Sequence, residues 1–215
     1  MIRGAPDTPY FDGLFIFDIR LKPTYPNEPP AVFYSEKLNP NLYQEGTVCV
    51  SLLGTWNGKD SEMWNPGSNL LQVIVSIQGL ILNSEPYYNE AGYEVRRVNP
   101  DYAEKSRCYN EMALVRNLEN LCNIIATRAS PFMKEIDEHL LINVPKLDYT
   151  PYATLGLRLR GYAGLGQSSL AQRRMPGVAQ RGFPAQPISI GCARSLERQL
   201  DKLKSLLNER QNNSN

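Results

Sequence analysis

The most apolar run in the chain, Leu70 to Leu82, constrains the fold more than any other feature. A segment this apolar must lie at the centre of a core, because leaving it in water forfeits its whole transfer free energy. Leu70, Ile74, Ile77 and Ile81 share one helical face, Asn69 stands where an N-cap belongs, and Gln72 occupies the third helical position. Val73, Ile74, Val75 and Ile77 would suit a strand equally. Thirteen residues is long for a strand, so the length predicts a helix, stopped by Pro86. The same run is too short to span a membrane, which needs roughly eighteen apolar residues or more. No signal-type apolar stretch opens the chain, which starts Met1-Ile2-Arg3-Gly4-Ala5-Pro6.

Upstream, Leu14 to Leu21 places Phe15, Phe17, Ile19 and Leu21 on one face of a strand and Asp18 and Arg20 on the other. Pro23, Pro26, Pro29 and Pro30 interrupt the ladder before Ala31–Tyr34 resumes it. Downstream, helices are predicted from Pro100 to Ala126, with Tyr102, Tyr109, Met112, Leu118, Leu121 and Ile125 inward, and from Phe132 to Leu141. A last stripe, Ala193, Leu196, Leu200, Leu203 and Leu207, is heptad-like but short.

Charge separates the chain into two regions. Residues 1–100 carry a net −4 and residues 101–215 a net +5, which together give the overall +1. From Tyr149 to Leu196 there is no acidic residue, six arginines, and many glycines. Such a composition buries too little to offset its ordering entropy and predicts a flexible linker. Aromatics such as Tyr162 and Phe183 are too sparse there for a stacking platform, so nucleic-acid binding is not expected.

Four cysteines, Cys49, Cys108, Cys122 and Cys192, lie far apart without a C-x-x-C pair, and His139 is the single histidine. Ordinary zinc spacing is therefore excluded, and no metal or other cofactor is expected. So is a nucleophile activated by a histidine near it in sequence. The cysteine usage fits a reducing compartment, cytoplasmic or nuclear. Cys108 and Cys122 are expected in the core. Cys49, between Val48 and Val50, reads on its own either as a small buried hydrophobe or as a nucleophile. Its setting, after Gly46 and an Asn39-Pro40-Asn41 turn, favours the second.

Five motifs in order carry a resemblance. They are Pro9-Tyr10-x-x-Gly13-x-Phe15; Tyr25-Pro26-x-x-Pro29-Pro30; Asn39-Pro40-Asn41 with Cys49 eight residues on; Trp64-x-Pro66; and Glu85-Pro86 after the apolar helix. Together they resemble the ubiquitin-conjugating enzymes. Leu38 to Tyr43, Val48 to Trp56 and Glu85 to Tyr93 are similar to the large branch whose members act as conjugating enzyme and ligase in one polypeptide.

The resemblance implies an α+β fold, an antiparallel meander with helices packed on one face, and C-terminal helices beyond it. The family's first helix and strand would precede Gly4, so the core is read as N-terminally short. The implied organisation is a catalytic core over 1–98, a helical extension over 99–145, an Arg/Gly-rich linker over 146–190, and an amphipathic helix over 191–211. The implied activity belongs to an ATP-dependent pathway: ubiquitin arrives as a thioester on an activating enzyme, moves to Cys49, and passes to a lysine of a protein substrate, with or without a separate ligase. The implied partners are therefore ubiquitin, the activating enzyme, substrate lysines and a ligase, with no membrane. A truncated core that binds ubiquitin or a partner without being charged is the alternative.

Asn41 matches the family asparagine that holds the loop or donates to the oxyanion; by itself it also reads as a turn former bonding only backbone. The family usually has a histidine of structural role where Asn39 stands. Tyr88 falls about where many members carry an acidic or serine gate. Glu85 and Glu90 could orient an acceptor lysine, or be solvated loop carboxylates.

Overall fold

The computed structural model describes residues 1–143 and 188–213. The linker expected over 146–190 lies almost entirely outside them. The chain divides into two compact units, Met1–Thr127 and Arg128–Asn215.

The first unit has an α+β architecture. Strand β1 (Ile2–Arg3) pairs antiparallel with β2 (Leu14–Phe15), and β3 (Asp18–Arg20) pairs antiparallel with β4 (Ala31–Phe33). Antiparallel bridges Phe33–Thr47 and Leu42–Val48 carry the ladder toward Cys49. The single strand expected over 14–21 is therefore two strands with different partners, broken at Ile16-Phe17. Its apolar face follows suit: Phe15 and Phe17 are buried, while Ile19 and Leu21 are exposed.

Helix α1 (Leu70–Ser76) starts on a reciprocal capping box, in which the Asn69 side chain accepts from the Gln72 N–H and the Gln72 side chain accepts from the Asn69 N–H. It runs on into a π-type turn, Ile77–Ile81, closed by the Leu82 N–H on the Ile77 carbonyl at 3.1 Å. The buried face is Val73, Ile77 and Ile81, each fully inaccessible. Ile74, expected on that face, is exposed: spacing four by four through the wider turn rotates the stripe by one residue. Tyr10, Phe15, Leu42 and Val48 complete the core around this helix, with the Tyr10 and Phe15 rings edge to face at 5.7 Å.

Helix α2 (Ala103–Thr127) buries Ala113, Leu118, Leu121 and Ile125, whereas Tyr102, Tyr109 and Met112 are half-buried. Two amides dock it on the segment before β2. Asn117 Nδ2 donates to the carbonyls of Pro9 and Phe11, and Asn120 Nδ2 donates to that of Leu14 at 3.0 Å. A Cβ on Gly13 would lie 1.9 Å from the Asn117 oxygen, so this approach needs glycine. Cys122 is in the core as expected. Cys108 is exposed, bonded to Glu104 on the outer surface near the start of α2.

In the second unit, α3 (Met133–Asn143) buries Ile136 and Leu140, and α4 (Ile190–Asn213) buries Cys192, Ala193, Leu196, Leu200 and Leu203. The heptad stripe is the buried face as far as Leu203, and Leu207 is half-buried. Arg210 of α4 is ion-paired with Asp137 of α3. Among the described residues, no helix is long and apolar enough to cross a membrane, and no group of His, Cys, Asp or Glu could hold a metal ion.

The rotated stripe makes a direct prediction. Ile77→Ala should lower the unfolding free energy by about 2–5 kcal/mol, as removal of a fully buried side chain does. Leu71→Ala, at an exposed position, should change it by about 0.5 kcal/mol or less. Urea denaturation of the two variants beside the parent measures both.

Candidate functional site

Cys49 follows a tight turn that the sequence builds locally. Gly46 adopts φ +92°, a conformation suited to glycine, its N–H bonded to the Tyr43 carbonyl at 3.0 Å and its carbonyl accepting from the Tyr34 N–H at 2.9 Å. The strand then returns past residues 39–42, and Cys49 meets Asn41 through two bonds. The Cys49 N–H donates to the Asn41 carbonyl at 2.8 Å, and the Asn41 side-chain amide donates to the Cys49 carbonyl at 3.0 Å. Thr55 secures the far side: its hydroxyl accepts from the Val50 N–H at 3.0 Å and donates to the Val48 carbonyl at 2.7 Å. Cys49 and Asn41 thus lie on one rigid double strand.

Cys49 itself is 2% exposed. The Tyr43 phenol is pushed up to about 12, chiefly by the neighbouring Cys49 thiol, ahead of burial and the Glu90 and Glu45 charges. A phenol beside groups that carry negative charge is disfavoured in its ionised form. Tyr43 and Thr55 escape a motif-based reading, because neither is a residue type that announces catalysis.

Beneath this pair lies Asn39, 1% exposed. Its Nδ2 donates to the Tyr10 hydroxyl at 2.9 Å and the Ile81 carbonyl at 2.7 Å. Its Oδ1 accepts from the Asn41 N–H at 2.9 Å and from Asn89 Nδ2 at 3.3 Å. A carboxamide can make these four bonds; an imidazole, with two ring nitrogens, cannot. The departure from the family's usual histidine therefore comes with a matched set of partners.

The three acceptor-side candidates separate. Glu85 is ion-paired with Arg97 at 3.1 Å, and the Arg97 guanidinium lies 5.0 Å from the centre of the Tyr88 ring. Tyr88 is buried, and burial first, then the Glu85 charge, raises its phenol, against a hydrogen bond with Ser106. Both therefore serve the clamp that Arg97 makes on residues 85–98. Glu90 is exposed, and its charge reaches Tyr43 and, on the other side, Tyr109. Among the three, Glu90 is the one whose charge is felt at the tyrosine on Cys49. Trp64 anchors packing instead of lining a cleft: its indole N–H donates to the Pro26 carbonyl at 2.7 Å, and its ring lies 5.9 Å from that of Tyr25.

Cys49 and Asn41 thus lie in a turn on an antiparallel edge, in the same unit as a capped apolar helix. The family description "Ubiquitin-conjugating enzyme" matches residues 1–114, and the chain belongs to that family. It is 45% identical over 140 residues to probable ubiquitin-conjugating enzyme E2 24 of Arabidopsis thaliana, covering 63% of this chain and 15% of that protein. Probable ubiquitin-conjugating enzyme E2 26 of the same plant is 39% identical over 186 residues, covering 82% of this chain and 34% of that protein. The dual E2 ubiquitin-conjugating enzyme/E3 ubiquitin-protein ligase BIRC6 of Homo sapiens is 48% identical over 117 residues, covering 51% of this chain and 2% of that protein. The chain thus spans a small fraction, 13% to 20%, of the first three plant relatives it matches.

The influence of Cys49 on Tyr43 is open to titration. Cys49→Ala removes the largest influence holding the Tyr43 phenol up, so its pKa should fall from about 12 toward the ordinary 10.0. Carbon-13 NMR of ring-labelled tyrosine, with the Tyr43 resonance assigned through Tyr43→Phe, measures the change. An unchanged midpoint would mean that the thiol is not its partner.

Proposed function

We propose that Cys49 carries ubiquitin as a thioester between an activating enzyme and the lysine of a protein substrate. The observation that carries this reading is the reciprocal pair of bonds joining Cys49 and Asn41. It fixes a thiol beside a side-chain amide that has a second N–H besides the one bonded to the Cys49 carbonyl. In the first step the Cys49 sulfur attacks the glycyl carbonyl of ubiquitin's existing thioester. The activating enzyme's sulfur leaves and takes up the proton that the Cys49 thiol gives up. In the second step a lysine amine attacks the same carbonyl, Cys49 leaves as thiolate, and the proton released by the amine returns to it. The product is an isopeptide. Because the acyl group arrives activated, neither step requires a histidine.

Asn41 supports both steps by holding the loop, and supplies an oxyanion donor in the second. Glu90 lies on the acceptor side, facing Tyr43. The likeness to a human protein that is both conjugating enzyme and ligase extends the reading to transfer without a separate ligase. A cytoplasmic or nuclear setting goes with this reading, because a thiol that carries an acyl group needs a reducing compartment.

The near-complete burial of Cys49 favours one second reading, a core that binds ubiquitin or a partner without being charged. Incubation with ubiquitin, ATP and an activating enzyme decides between them. The first reading expects an adduct that thiol reductant removes, a reductant-resistant oxyester with Cys49→Ser, and none with Cys49→Ala. An adduct that persists in Cys49→Ala contradicts it, and binding without any adduct supports the second.

Asn41→Ala separates the asparagine's two roles. It should still form the thioester but discharge it to lysine about 100-fold more slowly, the usual effect of losing one oxyanion donor. Discharge at the parent rate would reduce Asn41 to a turn residue.

A further inference from the structure

Asn89 ends the short 3-10 turn Pro86–Asn89, forty residues after Cys49 and directly before Glu90. Its side chain joins a continuous series of amides. Asn83 Nδ2 donates to Asn89 Oδ1 at 2.7 Å, and Asn89 Nδ2 reaches the carbonyls of Leu80 at 3.0 Å and Ile81 at 3.1 Å and Asn39 Oδ1 at 3.3 Å. The same Asn39 oxygen accepts the Asn41 N–H at 2.9 Å, and the Asn41 amide holds the Cys49 carbonyl at 3.0 Å. Every link between the turn that precedes Glu90 and the carbonyl of Cys49 is thus a hydrogen bond between short, stiff side chains or backbone.

We propose that Asn89 is a positioning residue for amine transfer: through Asn39 it fixes the acceptor-side turn, with Glu90, in register with Asn41 and Cys49. The proposal rests on the reading of Cys49 as the thioester carrier. A shift of the turn by an ångström would change where an amine can approach the thioester, and misplacement on that scale costs up to about 100-fold in rate. Asn89 also satisfies the last carbonyls of the π-type turn, which is a purely structural service. The test must tell the two apart.

The thioester is first formed on the parent chain and on Asn89→Ala, Asn89→Asp, Asn41→Ala and the Asn41→Ala/Asn89→Ala pair. Its discharge to free lysine is then followed in single turnover across lysine concentrations, with urea midpoints measured alongside. Asn89→Asp keeps the shape and the acceptor for Asn83 but has no N–H to give.

Asn89→Ala and Asn89→Asp should each slow discharge at saturating lysine by about 10-fold or more, with the half-saturating lysine concentration within about two-fold of the parent. If Asn89 acts through Asn39 on Asn41, its removal from the Asn41→Ala background should add less than about two-fold, because residues in one network do not act independently. Parent-like discharge in Asn89→Asp, losses that simply multiply in the double variant, or unfolding of both Asn89 variants would overturn the proposal. If the parent forms no thioester, the underlying reading of Cys49 has failed, and this is evident before any variant is compared.

Discussion

The carboxamide of Asn39 is the point on which the first unit turns. It is buried, it has two N–H groups and two acceptor positions, and all four are used. A buried polar group left without partners costs about 1–3 kcal/mol for each lost bond, so each neighbour is held in place by the others. Tyr10, which receives one of the bonds, passes its own proton to the Leu38 carbonyl at 3.0 Å, and burial holds its phenol above its ordinary range. One amide thereby joins the segment before β2, the end of the apolar helix, the loop carrying Asn41 and the turn carrying Asn89. Apolar packing among Phe15, Val48, Val73 and Ile77 supplies the cohesion. The directional bonds of Asn39 choose which arrangement of loops that cohesion stabilises.

On the proposed reading, the site is stiff where the acyl group would be held and polar where the amine would enter. Cys49 and Asn41 share a two-bond pairing, and Thr55 closes the turn behind them. On the opposite side, Arg97 clamps Glu85 and Tyr88, while Arg96 stacks 3.6 Å from the centre of the Tyr93 ring. These exposed charge contacts add little stability individually. Their effect is to restrict the loop that leads to Glu90. A reaction whose acyl group is already activated demands placement more than acid–base power, and the arrangement suits that demand.

Much of this was legible in the sequence wherever the signal was local. The capping box of α1 lies within four residues, Asn69 to Gln72, and a local pattern is enough to read it. Cys49 and Asn41 belong to one short motif, so their spacing announces them. The rotation of the helical stripe from Ile74 to Val73 was not legible, because a π-type turn changes the period without any residue that marks it. The break in the strand at Ile16-Phe17 depends on partners as distant as Ile2 and Val32. Asn89 and Arg97 were hidden for the same reason: an asparagine near a proline looks like any turn former until the fold brings it against residue 39. Tyr88, Glu85 and Glu90 are alike in sequence as loop residues, and only the position of Arg97 separates them.

Solvent exchange of the Asn39 side-chain amide, followed by nitrogen-15 NMR on the unmodified chain, addresses the central claim most directly. Two N–H groups that are both bonded and both buried should exchange on the slow timescale of the core backbone amides, such as that of Ile77, because both open only with the core. Exchange of the Asn39 amide as fast as that of an exposed asparagine such as Asn27 would show that the four-bond hub is not formed, and would contradict the account of the site built upon it.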